Sequence, residues 1–125
     1  MDFYKRAKKL YSERNFTEAI EYYEKCVKDC YDDEKEMKYD LPECLFNIGM
    51  CYISMINYPI GIDYINEALC YREDVKYYFK IGCCFNELKL KNRALENFMI
   101  ANAIDPEDKI YQDAVHEYRW YRKVI

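Results

Sequence analysis

Seven cysteines and one histidine are the side chains of this 125-residue chain that could serve as nucleophile, redox pair or soft metal ligand. Thiolate catalysis needs a base within hydrogen-bond reach, thiol exchange needs two close sulfurs, and zinc needs ligands grouped in short pairs. Cys26 and Cys30 are four apart, Cys83 and Cys84 are adjacent, and Cys44, Cys51 and Cys70 are scattered, so no Cys-x-x-Cys pair exists. His116 stands beside Glu117 with no serine or cysteine near it in sequence. Three glycines are too few for a phosphate-cradling loop. The acidic residues between Asp29 and Tyr39 lack the spacing of a calcium loop. The expectation is a non-enzyme with no catalytic residue, no metal and no cofactor. Most of its cysteines are expected to serve as small buried hydrophobes, in a reducing compartment, cytoplasm or nucleus.

The elements that hold these side chains announce themselves by repetition. Ala7, Gly49 and Gly82 are each followed three residues on by a large side chain, Leu10, Tyr52 or Phe85. A dozen residues after each comes a second small residue, Ala19, Gly61 or Ala94. Tyr23, Ile65 or Phe98 follows four later, and Cys26, Ala68 or Ala101 three after that. Glycine inside a helix costs about 0.5 to 1 kcal/mol relative to alanine, so Gly49 and Gly82 predict helices packed too closely for a side chain. A unit that cannot bury its own apolar face must stack on its neighbours, which gives an array and a binding role.

Capping signals place the helix starts. Asn15 with Glu18, and Asp40 with Glu43, have capping-box spacing, while Asn57 before Tyr58-Pro59, Asp105 before Pro106, and Asp74 read as further caps. Seven helices are predicted, over about 2–14, 17–34, 41–55, 58–71, 75–88, 91–103 and 106–122. The interval from Ala7 to Gly49 exceeds that from Gly49 to Gly82, and the surplus falls in the charged stretch Asp29 to Tyr39. An extra turn on each flanking helix, or a plain exposed loop, would absorb it. In the last helix Ile110, Tyr111, Ala114, Val115, Tyr118, Tyr121 and Ile125 form one apolar stripe. Trp120 projects from the opposite side as a candidate partner anchor, since binding hot spots favour tryptophan.

The pattern resembles the tetratricopeptide repeat, a helix-turn-helix unit of about 34 residues. The third repeat carries it best, in Tyr78, Ile81, Gly82, Phe85, Ala94, Phe98, Ala101 and Asp105-Pro106. The second reads Leu45, Ile48, Gly49, Tyr52, Gly61, Ile65 and Ala68, with Glu73 where proline is expected. The first reads Phe3, Ala7, Leu10, Phe16, Ala19, Tyr23 and Cys26, with Arg6 in a normally apolar slot. The resemblance implies an all-α, right-handed superhelical array of three repeats plus a C-terminal capping helix, forming a single domain over residues 1–125. Its parts would be repeat one at about 1–34, an extended connection at about 29–41, repeat two at about 42–74, repeat three at about 75–106 and the cap at about 106–122. The lengthened first connection is similar to that of immunophilin co-chaperones.

Net charge of −4, with no basic block, argues against nucleic acid as a partner. No apolar run approaches the roughly 18 to 20 residues of a membrane span, and the charged start Met1 to Arg6 lacks the apolar core of a signal peptide. A soluble cytoplasmic protein without a membrane partner is expected.

In the family the first helix of each repeat lines a concave groove. By that resemblance helix one offers Tyr4, Lys5, Lys8, Tyr11 and Ser12, helix three Glu43, Phe46, Asn47, Met50, Ile53 and Ser54, and helix five Lys76, Phe79, Lys80, Cys83, Asn86 and Glu87. The peptide-binding set drawn from these is Tyr4, Lys5, Lys8, Phe46, Asn47, Met50, Lys76, Phe79, Lys80 and Cys83. It partly resembles the carboxylate clamp of chaperone-binding domains. Asn47 and Lys76 match, Lys80 keeps the charge of an arginine, and Tyr4 and Lys8 stand where lysine and asparagine are expected. The implied function is a co-chaperone-like adaptor for a short acidic peptide or C-terminal tail, that of a heat-shock chaperone being the family's example. The alternative is a non-catalytic subunit or scaffold of a larger complex.

Overall fold

A computed structural model describes residues 1–124 except 34 and 37, and for residues 119–124 the backbone alone. Among the described residues there are seven helices and no strand: α1 (Phe3–Ser12), α2 (Phe16–Asp32), α3 (Leu41–Ser54), α4 (Tyr58–Leu69), α5 (Val75–Glu87), α6 (Lys91–Ile104) and α7 (Lys109–Val124). They divide into two compact units. Met1–Arg72 contains α1 to α4, and Glu73–Ile125 contains α5 to α7. None of the described helices is long and apolar enough to cross a membrane.

Local chemistry starts most of these helices where the sequence predicts. Side chains of Asp2, Asp40, Asn57 and Asp74 accept from the backbone N–H groups of Lys5, Glu43, Ile60 and Lys76, satisfying first-turn donors that have no partner inside the helix. Pro42 and Pro59 sit in first turns, where a missing N–H costs nothing. Two predicted caps fail. Asn15 makes no side-chain cap bond, and the start of α2 is exposed enough for water to serve its donors. Asp105 does not open α7, because its N–H still closes α6 on the Ala101 carbonyl. The cap of α7 is Asp108, whose carboxylate accepts from the Ile110 N–H at 2.8 Å.

Each of the hairpins α1/α2, α3/α4 and α5/α6 turns through three residues, and the middle one, Arg14, Ile56 or Lys89, has φ of 63°. The turn is closed from both sides. Arg14, Ile56 and Lys89 donate to Tyr11, Ile53 and Asn86, and the next residues, Asn15, Asn57 and Leu90, donate back to Leu10, Tyr52 and Phe85 at 2.8 to 2.9 Å. This is the helix-ending motif that glycine normally serves, and here three residues with side chains occupy the left-handed position. Ile56, β-branched and 72 % exposed, is the costliest of them.

Inside the hairpins the small residues act as the repetition predicts. A Cβ on Gly49 would lie 2.9 Å from the Gly61 carbonyl oxygen, so α3 and α4 meet backbone to backbone. A Cβ on Gly82 would lie 2.6 Å from the Phe98 ring, which fills the gap between α5 and α6. Ala7, Leu10, Ala19, Ile20, Tyr23, Ile48 and Cys51 form one buried cluster of unit 1, and Ala94, Leu95, Phe98, Val115 and Tyr118 one of unit 2. The stripe of α7 is thus buried at Val115 and Tyr118, while Ile110, at the start of the helix, stays 60 % exposed.

Two features go beyond the repeat pattern. The fully buried aromatic of α5 is Tyr77. Tyr77, Ile81 and Cys84 share one helical face at spacings of four and three, whereas Tyr78 turns outward and donates to Glu73 at 3.2 Å. The surplus between the first two hairpins is shared between helix and connection. The 17-residue α2 takes part of it, and Tyr39 is buried, its hydroxyl accepting from the Phe3 N–H at 3.2 Å and its carbonyl from the Cys30 thiol at 3.3 Å. An aromatic with two anchoring bonds holds that connection against the start of α1.

Candidate functional site

Unit 1 carries an open pocket of about 300 Å³. Tyr4, Lys8 and Tyr11 of α1 form one side, and Glu43, Phe46, Asn47 and Met50 of α3 the other, with Tyr23 of α2 completing the lining. Tyr4, Lys8 and Tyr11 are one helical turn or so apart, as are Glu43, Phe46 or Asn47, and Met50, so each helix presents a single stripe. Side-chain hydrogen bonds join α1 to α3. The Asn47 amide donates to the Tyr4 hydroxyl at 3.3 Å, and the Tyr11 and Ser54 hydroxyls pair at 3.2 Å.

The walls are aromatic and firmly held. Tyr4 meets Tyr23 edge-on at 5.9 Å between centroids, and Tyr11 meets Phe16 at 5.2 Å. Tyr4 and Tyr11 also pack on the unit 1 core, and Tyr23 belongs to it. Burial pushes the Tyr23 phenol well above its ordinary range, so it stays a neutral O–H group at any physiological pH.

Two charges flank this lining. The Lys8 ammonium lies 5.6 Å from the Tyr4 ring centroid, a cation–π contact, and no carboxylate pairs with it among the described residues. The Glu43 carboxylate lies 3.7 Å from the Arg72 guanidinium, which also holds Asp40 at 2.9 Å. The anion at the pocket is therefore offset within the protein, and the cation is not.

Four residues of unit 1 expected in the groove, Lys5, Ser12, Ile53 and Ser54, lie outside the pocket lining. Lys5 is exposed on α1 and outside the pocket lining. Ile53 lies over Gly61 of α4, at 2.7 Å from where a Cβ would stand. Tyr23 was expected only as a packing residue between helices, and its second role as pocket wall has no signature in the spacing.

In unit 2 the predicted residues are arranged differently. Phe79 is half-buried, its ring 5.5 Å from Phe98 and 5.2 Å from Tyr111, and Cys83 packs on the same cluster. Burial raises the Cys83 thiol, against the lowering effect of Lys80. Lys76 is tied to Asp74 at 4.0 Å, and Asn86 accepts from the Lys91 ammonium at 2.7 Å. Lys80 forms no ion pair among the described residues. Trp120 lies on α7, and its side chain is outside the described residues.

Residues 3–28 match the family model of the tetratricopeptide repeat. Solved structures extend the likeness to nearly the whole chain. The C-terminal repeat domain of a Plasmodium falciparum FK506-binding protein is 20% identical, with a TM-score of 0.74 over 98% of this chain and 87% of that one. The second repeat domain of human RPAP3, in complex with an HSP70 peptide, is 17% identical, with 0.75 over 94% and 92%. The Yersinia enterocolitica secretion chaperone SycD, in complex with a peptide of the translocator YopD, is 12% identical, with 0.79 over 96% and 92%. The fold is that of tetratricopeptide-repeat domains. A comparison with curated proteins found no significant match.

On this tetratricopeptide fold, the Tyr4 phenol engages Asn47, and the Lys8 ammonium stands one turn further along α1. The pocket thereby has an aromatic wall with a positive charge at its edge.

Proposed function

We propose that this domain is a non-catalytic protein-interaction adaptor that takes a short, acidic peptide segment against α1 and α3, the first helices of their hairpins. The observation that carries this reading is the open, ring-lined pocket of unit 1 with an uncompensated lysine beside it. Support comes from the repeat domains of like fold that are seen with peptides, those of RPAP3 and SycD. For unit 2, taken by itself, the same role assigns Lys76 and Lys80 of α5 to acidic side chains of the ligand. Each charge-assisted bond contributes about 1.5 to 3 kcal/mol before ordering costs, so micromolar affinity, about 8 kcal/mol in all, is expected.

Panning a random peptide library against the wild type and a Lys8→Glu, Lys80→Glu variant tests this role. Acidic peptides should be recovered on the wild type and bind the variant at least tenfold more weakly. Wild-type protein that is folded by circular dichroism yet recovers no peptide sensitive to these charges would overturn it.

A further inference from the structure

We infer, on the footing of the peptide-binding role proposed above, that the unit 1 pocket recognises one apolar side chain next to one carboxylate within a peptide, and does not require a free peptide C-terminus. A chain end that finishes in an acidic residue brings two carboxylates close together, so its capture needs several cations or unshared N–H donors converging on a small volume. The pocket holds one uncompensated cation, Lys8. One N–H of the Asn47 amide is already given to the Tyr4 hydroxyl. Glu43, though offset by Arg72, still places a carboxylate at the wall and disfavours a second anion there.

What the pocket offers in quantity is apolar surface. The rings of Tyr4 and Phe46 and the thioether of Met50 enclose a volume at the small end of the about 300 to 1,000 Å³ range of ligand pockets, the scale of a side chain. The Tyr4 ring is held by its edge contact with Tyr23 and by the Asn47 bond, and Phe46 is buried, so little ordering remains to be done on binding. Met50 adapts to side chains of different shape. Charge complementarity then places the ligand's acidic residue beside the apolar one, at the Lys8 ammonium. The occupant is a peptide segment with an apolar residue adjoining Asp or Glu, anywhere along a chain.

Two display formats discriminate this from end recognition: random peptides fused through their C-termini, and random peptides presenting free C-termini. Binders should come from both, sharing an apolar residue beside Asp or Glu with no fixed distance to the end. The best binder, made as free acid and as C-terminal amide, should show Kd values within threefold of each other. Replacing its apolar residue with serine should weaken binding at least tenfold. Lys8→Glu in the protein should weaken it at least fivefold and restore binding of the peptide whose acidic residue is changed to lysine. Binders confined to free C-termini, or a tenfold loss on amidation, would overturn this inference and leave the adaptor role standing. Absence of binders in both formats from folded protein would remove the adaptor role and this inference with it.

Discussion

The first helices of the hairpins in the two units carry the same repeat pattern and use it differently. On α1 and α3 the stripe of Tyr4, Lys8, Phe46, Asn47 and Met50 lines an open pocket, its rings braced from behind by the core. On α5 the corresponding aromatic, Phe79, is drawn between Phe98 and Tyr111, and Cys83 follows it into the same cluster. The difference lies in what flanks each helix. Phe79 has Tyr111 and Val115 of α7 to pack with and is half-buried, whereas the equivalent Phe46 is buried at 7 % exposure and still forms part of the pocket wall. A repeat position thus specifies a direction, and the neighbouring element decides what the side chain there packs on.

The helix crossings give the sharpest test of this contrast. Gly49→Leu should abolish folding, since its branch would enter the α3/α4 contact at the Gly61 carbonyl. Alanine separates the units more finely. Overpacking costs about 1 to 3 kcal/mol, and Gly49→Ala should lie at the upper end because a backbone carbonyl cannot turn aside. Gly82→Ala, which meets the Phe98 ring, should lie lower, and urea denaturation measures both. Equal losses would mean that α5 and α6 are as rigidly apposed as α3 and α4.

Alkaline pH should strike both units together. Burial pushes the thiols of Cys51 in unit 1 and Cys84 in unit 2 up to about 12 from an ordinary 9.0. A thiol whose folded value is raised contributes stability that is complete below its unfolded value and is lost as pH climbs toward the folded one. The melting temperature should therefore fall progressively between pH 9 and 12, and replacing both cysteines with alanine should flatten that decline even though it lowers stability at pH 7.

Phe79→Ala should cost about 2 kcal/mol, less than a fully buried ring because Phe79 is only half covered. Met50→Ala, in the open pocket, should cost under about 1 kcal/mol and act chiefly on peptide affinity. If Phe79→Ala instead left stability unchanged, the ring would be surface and the two faces would be alike. The smallest effect is expected in a turn. Ile56→Gly should raise stability by about 0.5 to 1 kcal/mol, the relief of a β-branched residue at φ of 63° less the entropy of glycine. Thermal melts resolve a change of that size.

Sequence alone determined the seven helices, their pairing into hairpins and the crossings at Gly49, Gly61 and Gly82, because period, caps and small residues are local or near-local signals. Of the groove set drawn by resemblance, Tyr4, Lys8, Phe46, Asn47 and Met50 line one cavity, and Lys5 lies outside it. Tertiary structure decided the rest. That Asp108 rather than Asp105 opens α7, that Tyr77 is buried and Tyr78 is not, and that Tyr39 anchors the first connection all turn on competition for one backbone group or one buried face. That the Glu43 carboxylate is offset by Arg72 depends on residues distant in sequence meeting in space. A period along the chain fixes which way a side chain points, but only packing supplies the partners waiting there.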